Sequence, residues 1–143
     1  MKRIERSAIV PHGAEQVYAL VADIESYPRF LPWCAGAKVQ PAPEGVTATL
    51  EVGVKGLRQS FTTRNRNRPG ESIDLQLVDG PFRRFAAAWR FKPLAPRACG
   101  IEFSMEYEFS SRAAGKLLDP LFARIADTMV DAFSRRADEI YKG

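Results

Sequence analysis

The side chains in this 143-residue sequence best suited to nucleophilic or metal chemistry are its single histidine, His12, and its two cysteines, Cys34 and Cys99. Their settings support neither. His12 follows Pro11 in a predicted connection, with no nearby pattern that would complete a relay of nucleophile, base and orienting acid. It reads as a turn residue. The cysteines lie in apolar surroundings without zinc-ligand spacing, and free cysteine is among the most buried residue types, so core packing is expected of both. No phosphate-cradling glycine loop or dinucleotide fingerprint occurs.

Paired carboxylates fare no better. In "CGIEFSMEYEF", Cys99, Ile101, Phe103, Met105, Tyr107 and Phe109 alternate with Gly100, Glu102, Ser104, Glu106 and Glu108. Such a strand turns every Glu to its wet face and leaves Tyr107 as the polar group of the inward row. Proton-transfer catalysis needs a positioned group of matched pKa, so this argues against an enzyme. Arg83, Arg84 and Asp79 are the loop residues that could still serve one.

Two other chemistries remain, burial of an apolar ligand and attraction of an anionic one. "SYPRFLPWC" sets Tyr27, Phe30, Leu31 and Trp33 beside two prolines, joining irregular backbone to residues that belong inside. This reads as a lid over a hydrophobic cavity, closed together with Phe82 of "DGPF". Candidate lining residues are Phe61, Trp89, Phe91, Phe103, Met105 and Tyr107 from strands, with Phe122, Ile125 and Met129 from the last helix. All would be core in any mixed domain; the ligand reading adds that a tail needs a dry path, and that methionines suit a flexible guest. In "TTRNRNR", Arg64, Arg66 and Arg68 share one face, and with Arg58, Arg84 and Arg90 they form a candidate surface for an anionic partner. A net charge of +4 permits such a partner without demanding it.

The elements that must position these groups are legible from periodicity. Lys2 to Val10 reads as a strand, then "GAEQVYALVADI" as a helix with Val17, Leu20, Val21 and Ile24 at helical spacing. A short second helical turn through "SYPRFL" follows, capped by Asp23 or Ser26. From Ala37 the period becomes two. Val46, Ala48, Leu50, Val52 and Val54 share a face, a Lys55-Gly56 turn leads into Leu57 to Arg68, and "SIDLQLVDG" and the strand of Phe85, Ala87, Trp89 and Phe91 continue the meander. The apolar stripe Leu118, Phe122, Ile125, Met129, Phe133 and Ile140 marks a covering helix. It either starts at Pro120, capped by Asp119, or begins near Ala113 and kinks at the proline. The length suffices for one domain, 1–143, with a core needing no disulfide. No apolar run approaches the roughly 20 residues of a membrane helix, and no export signal is read at the N-terminus, so a cytoplasmic setting is expected.

Taken together, "VADIESYPRFLPWC", "GLRQSFTTRN", "LVDGPFRRFAAAWRF" and "MVDAFSRRADEIY" resemble the START-like superfamily, in its polyketide-cyclase and coenzyme-Q-binding branch. The resemblance covers nearly the whole chain. It implies an α+β helix-grip fold of the Bet v 1 type, with a curved antiparallel sheet around a long C-terminal helix and two short helices after the first strand. It also implies an internal cavity that binds ubiquinone or a related isoprenoid, with no cofactor required, in support of ubiquinone biosynthesis or respiration. Transient contact with a membrane surface and a place peripheral to the inner membrane go with that role. Two other activities of the branch stand beside it: association with the large ribosomal subunit, as a toxin that blocks subunit joining, and polyketide cyclisation.

Overall fold

The computed structural model describes residues 2–54 and 56–141. Strand β1 (Lys2–Val10) leads into helix α1 (Ala14–Ala22) and a 3-10 helix (Ile24–Arg29). Six strands follow, β2 (Cys34–Ala42), β3 (Gly45–Val54), β4 (Leu57–Arg68), β5 (Ser72–Asp79), β6 (Phe82–Ala95) and β7 (Ala98–Phe109), and then helix α2 (Arg112–Ile140). All seven strands form one antiparallel sheet in the order β1-β7-β6-β5-β4-β3-β2. The meander of β2 to β7 needs only short turns, and β1 closes it by pairing with β7 from Lys2↔Tyr107 to Val10↔Cys99. This is the expected α+β helix-grip architecture, a curved sheet around a long terminal helix.

Curvature has local causes. Pairing slips at Cys34/Gly36, at Thr62/Thr63 and at two places in β6, Phe82/Arg84 and Pro93/Ala95. Each bulge adds a residue to one strand and bends it. The alternation read from the sequence sets the faces: Phe85, Ala87, Trp89 and Phe91 of β6, and Ile101, Phe103, Met105 and Tyr107 of β7, are buried on the concave side.

Helix α2 takes the earlier of the two starts that the sequence left open. Ser111 caps it by accepting a hydrogen bond from the Ala114 N–H at 3.1 Å, and Pro120 lies inside it. Pro120 has no N–H to give the carbonyl one turn back, so the ladder is broken there. Leu118, Phe122, Ile125, Met129 and Phe133 face the sheet as expected, but Ile140 does not. It is 48% exposed, and Ala137 takes the buried position near the helix end. The hairpin expected at Lys55-Gly56 falls partly outside the described residues; Gly56 has φ 83°, the left-handed backbone such a turn favours.

A glycine tests the register of the β2–β3 hairpin. A Cβ on Gly45 would lie 2.0 Å from the Asn65 carbonyl oxygen of β4, a backbone atom that cannot swing aside. Gly45→Ala therefore costs about 1–3 kcal/mol in urea unfolding, as overpacking does. A Cβ on Gly115 meets Phe109 no closer than 3.6 Å. Gly115→Ala is thus expected to raise stability by up to about 1 kcal/mol through helix propensity alone.

Candidate functional site

The concave face holds two aromatic groups, one under each half of α2. Under the first half, Phe82 lies 5.0 Å from Phe85, 5.2 Å from Phe109 and 5.0 Å from Phe122 of the helix, ring centre to ring centre. Phe61 completes this group at 5.6 Å from Phe122, and Tyr107 borders it at 6.0 Å from Phe82. Under the second half, Phe133 lies 5.3 Å from Tyr27, 5.2 Å from Phe30 and 5.3 Å from Trp89. Trp89 reaches Phe103 at 4.8 Å and stacks with Phe91 at 6.2 Å. Met105, Ile125 and Met129 are also buried. Every residue expected to line a cavity is therefore inside, but the rings pack on one another. A chain entering between sheet and helix must displace them.

The expected lid is differently placed. Tyr27, Leu31 and Trp33 are buried, Tyr27 Oη donates to the Val21 carbonyl at 2.5 Å, and Trp33 Nε1 donates to Thr128 Oγ1 at 3.2 Å. Phe30 is half-buried, with Arg136 over its ring at 5.1 Å. The segment clamps the middle and second half of α2, whereas Phe82 sits under the first half. These residues do not close one mouth together, because the 3-10 helix of Ile24–Arg29 carries the aromatics down onto Phe133.

The interior also holds polar groups that were not singled out in the sequence. Thr63 and Asn65 of β4 are buried, and Thr63 Oγ1 donates to Asn65 Oδ1 at 2.7 Å. Asn67 Oδ1 is buried without a hydrogen-bond partner among the described residues, and the buried Tyr107 Oη lies beside the Asp119 carboxylate. The signal was available: if Arg64, Arg66 and Arg68 face outward, period two sends Thr63, Asn65 and Asn67 inward. None of these groups is a proton-transfer catalyst near neutrality. Burial, with the nearby Asp119 carboxylate, pushes the Tyr107 phenol up to about 12. Burial raises Tyr27 as well, and raises Cys34 to about 11 and Cys99 above its usual value, so neither thiol is poised as a nucleophile. His12 is more than a turn residue. It is buried, with Nε2 2.7 Å from Asp138 Oδ1, and it ties the β1–α1 connection to the end of α2.

On the convex face Arg58, Arg64, Arg66, Arg68, Arg84 and Arg90 are all exposed. Two of them are engaged, Arg66 with Glu44 at 2.9 Å and Arg90 with Asp74 at 3.0 Å. Arg58, Arg64, Arg68 and Arg84 form no ion pair among the described residues. Glu102, Glu106 and Glu108 share this side, so the face is mixed rather than uniformly basic.

Comparison with known proteins places this geometry in a family. The model described as "Polyketide cyclase / dehydrase and lipid transport" matches residues 10–134. The chain belongs to that family. Within this polyketide cyclase and lipid transport family, the chain is 42% identical to the ribosome association toxin RatA of Escherichia coli K12, over 99% of this chain and 90% of that protein. It is 33% identical to the mitochondrial coenzyme Q-binding protein COQ10 homolog B of Xenopus laevis, over 98% of this chain and 60% of that one. The fold matches an 18 kDa protein from Caulobacter crescentus with a TM-score of 0.77 at 32% identity, each chain covered in full (100% and 100%). It also matches the Zhui aromatase/cyclase with a TM-score of 0.87, covering 99% and 96% of the two chains, a likeness of fold alone at 16% identity. Among the described residues no helix is long and apolar enough to cross a membrane, and no group of His, Cys, Asp and Glu is placed to hold a metal.

The raised Tyr107 pKa makes stability depend on pH with a definite sign. Below pH 10 both folded and unfolded chains keep the phenol protonated; between about 10 and 12 only the unfolded chain releases the proton, so stability falls as pH rises through that window. Tyr107→Phe is expected to make that fall shallower in urea unfolding.

Proposed function

We propose that this protein is a non-enzymatic binder of a polyprenyl quinone or related isoprenoid, held between the concave face of the sheet and α2. The observation that carries the reading is the break in that helix at Pro120 above an apolar interior. The twenty residues after Pro120, 121–140, are tied to the rest of the fold by Arg6–Asp127 at 2.6 Å, Trp33–Thr128 and His12–Asp138, and the Tyr141 hydroxyl just past them donates to the Gln16 carbonyl. The eight residues before it, 112–119, carry Gly115 and, among the described residues, one cross-element ion pair, Lys2–Asp119. An apolar interior under a cover that is weak at one end can admit a tail without global unfolding. Burying the tail contributes about 0.8 kcal/mol per methylene. The relative named for coenzyme Q binding and the lipid-transport description of the family support this reading. The protein would act in the cytoplasm, meeting the membrane surface only to exchange its ligand.

Organic extraction of freshly purified protein, followed by mass spectrometry, is expected to release an isoprenoid quinone in a defined ratio to protein. Repeated extracts without isoprenoid, together with no saturable binding of added short-tailed ubiquinone, would overturn the proposal.

A second reading, ribosome association, is favoured by the 42% identity to the toxin and by the unpaired arginines of the convex face. It uses a different surface and is compatible with the first. Sedimentation with purified large subunits should then weaken steeply with salt, and Arg64→Glu with Arg84→Glu should reduce it at least tenfold. Cosedimentation unchanged by both substitutions would remove this surface from consideration.

A further inference from the structure

The inward row of β4 changes from apolar to polar along the strand. Phe61 packs in the aromatic group with Phe82 and Phe122, and Thr63, Asn65 and Asn67 follow it at period two. Asn67 lies beside Ile73 of β5, which lies beside Trp89 of β6, so the polar end of the row reaches the level of the second aromatic group. The wall around it is not fully covered. Among the strands, α2 runs closest to β1 and β7. On β3 and β5, Leu50, Leu75 and Leu77 point to the same concave side and pack against the core, yet each is only half-buried. The room that a guest can use on this face therefore lies over β3, β4 and β5, beside the polar row.

Two members of the row satisfy each other. Thr63 and Asn65 are both buried, and the Thr63 hydroxyl donates to Asn65 Oδ1 at 2.7 Å. Asn67 has no such neighbour. Its backbone is fixed, with the N–H donating to the Glu44 carbonyl at 2.9 Å, but its Oδ1 is buried and has no hydrogen-bond partner among the described residues. A buried acceptor left without a donor costs stability, and a ligand that brings a donor recovers it. An amide oxygen accepts and cannot donate. The guest it calls for therefore carries a donor on a body otherwise suited to an apolar wall.

We propose that the concave site takes the ring of its isoprenoid guest in the reduced, hydroquinone form, with a ring hydroxyl donating to Asn67 Oδ1. This rests on the quinone reading and adds to it a choice between redox states. The two forms differ by two electrons and two protons. At this atom a hydroquinone presents an O–H donor, whereas a quinone presents only carbonyl acceptors and would set oxygen against oxygen. The ring lies at the deep end of the row, and the tail runs back along Leu75 and Leu77, past Phe61, toward the first half of α2. Asn67 selects between the forms and transfers no electron.

The test is anaerobic calorimetric titration of ligand-free protein with a ubiquinone of one isoprene unit, and with the same molecule reduced to its quinol. The quinol should bind about tenfold more tightly, which equals a rise of about 30 mV in the midpoint potential of the bound two-electron couple. Asn67→Leu removes the acceptor at similar volume, and should bring the two affinities level by weakening the quinol and not the quinone. Asn67→Asp keeps acceptor oxygens without the amide donor, and should retain the preference for the quinol. Thermal unfolding, recorded for both variants, confirms that they are folded. Equal affinity of the unaltered protein for the two forms, a preference that survives Asn67→Leu, or one lost in Asn67→Asp overturns the selectivity and leaves the quinone reading standing. No saturable binding of either form overturns that reading and the selectivity with it.

Discussion

The packing of α2 onto the concave face of the sheet is the contact on which the rest of this structure depends. Strands β6 and β7 alternate, so each delivers a row of large apolar side chains to the same side, and among the described residues no second sheet covers them. Phe122 and Phe133 are the two fully buried rings that the helix inserts, each into its own aromatic group. Aromatic pairs in these geometries add about 0.5–1.5 kcal/mol each beyond area burial. The sheet bends at its bulges to meet the helix, and the 3-10 segment and α1 fill the remaining side.

That contact is not uniform along its length. After Pro120 the helix is bound by side-chain hydrogen bonds and ion pairs to β1, to Trp33, to His12 and to α1. Before it, Gly115 weakens the helix, which is held there by the buried Leu118 and the Lys2–Asp119 ion pair, while the Phe82 group packs on Phe122 just past the proline. Hydrophobic packing is not directional, so an apolar chain can substitute for it, whereas the hydrogen-bonded half has no such substitute.

The fold was largely readable because its causes are local. Period-two alternation marks β3 to β7, and the long apolar stripe marks α2. The choice of helix start was not readable, because Pro120 is compatible both with a first turn and with an interior break, and the decision rests on the Ser111 cap. Ile140 was misplaced since the stripe continues in sequence past the point where the sheet ends. The site was less legible. The burial of every candidate lining residue followed from pattern, but the grouping of Phe82 with Phe122, and of Tyr27 and Phe30 with Phe133, follows from how far each strand reaches along the helix. Arg66 and Arg90 looked like free cations until Glu44 and Asp74 were brought beside them across turns and strands. Thr63 and Asn65 could have been found by carrying the alternation of their own strand inward.

The central claim, that α2 is a cover firmly fixed at one end and releasable at the other, is tested most directly by amide hydrogen exchange along the helix, with and without a short-tailed ubiquinone. The account expects residues 113–119 to exchange much faster than residues 122–138 in the free protein, and to slow when ligand is added. Equal protection across Pro120, unchanged by ligand, would contradict it.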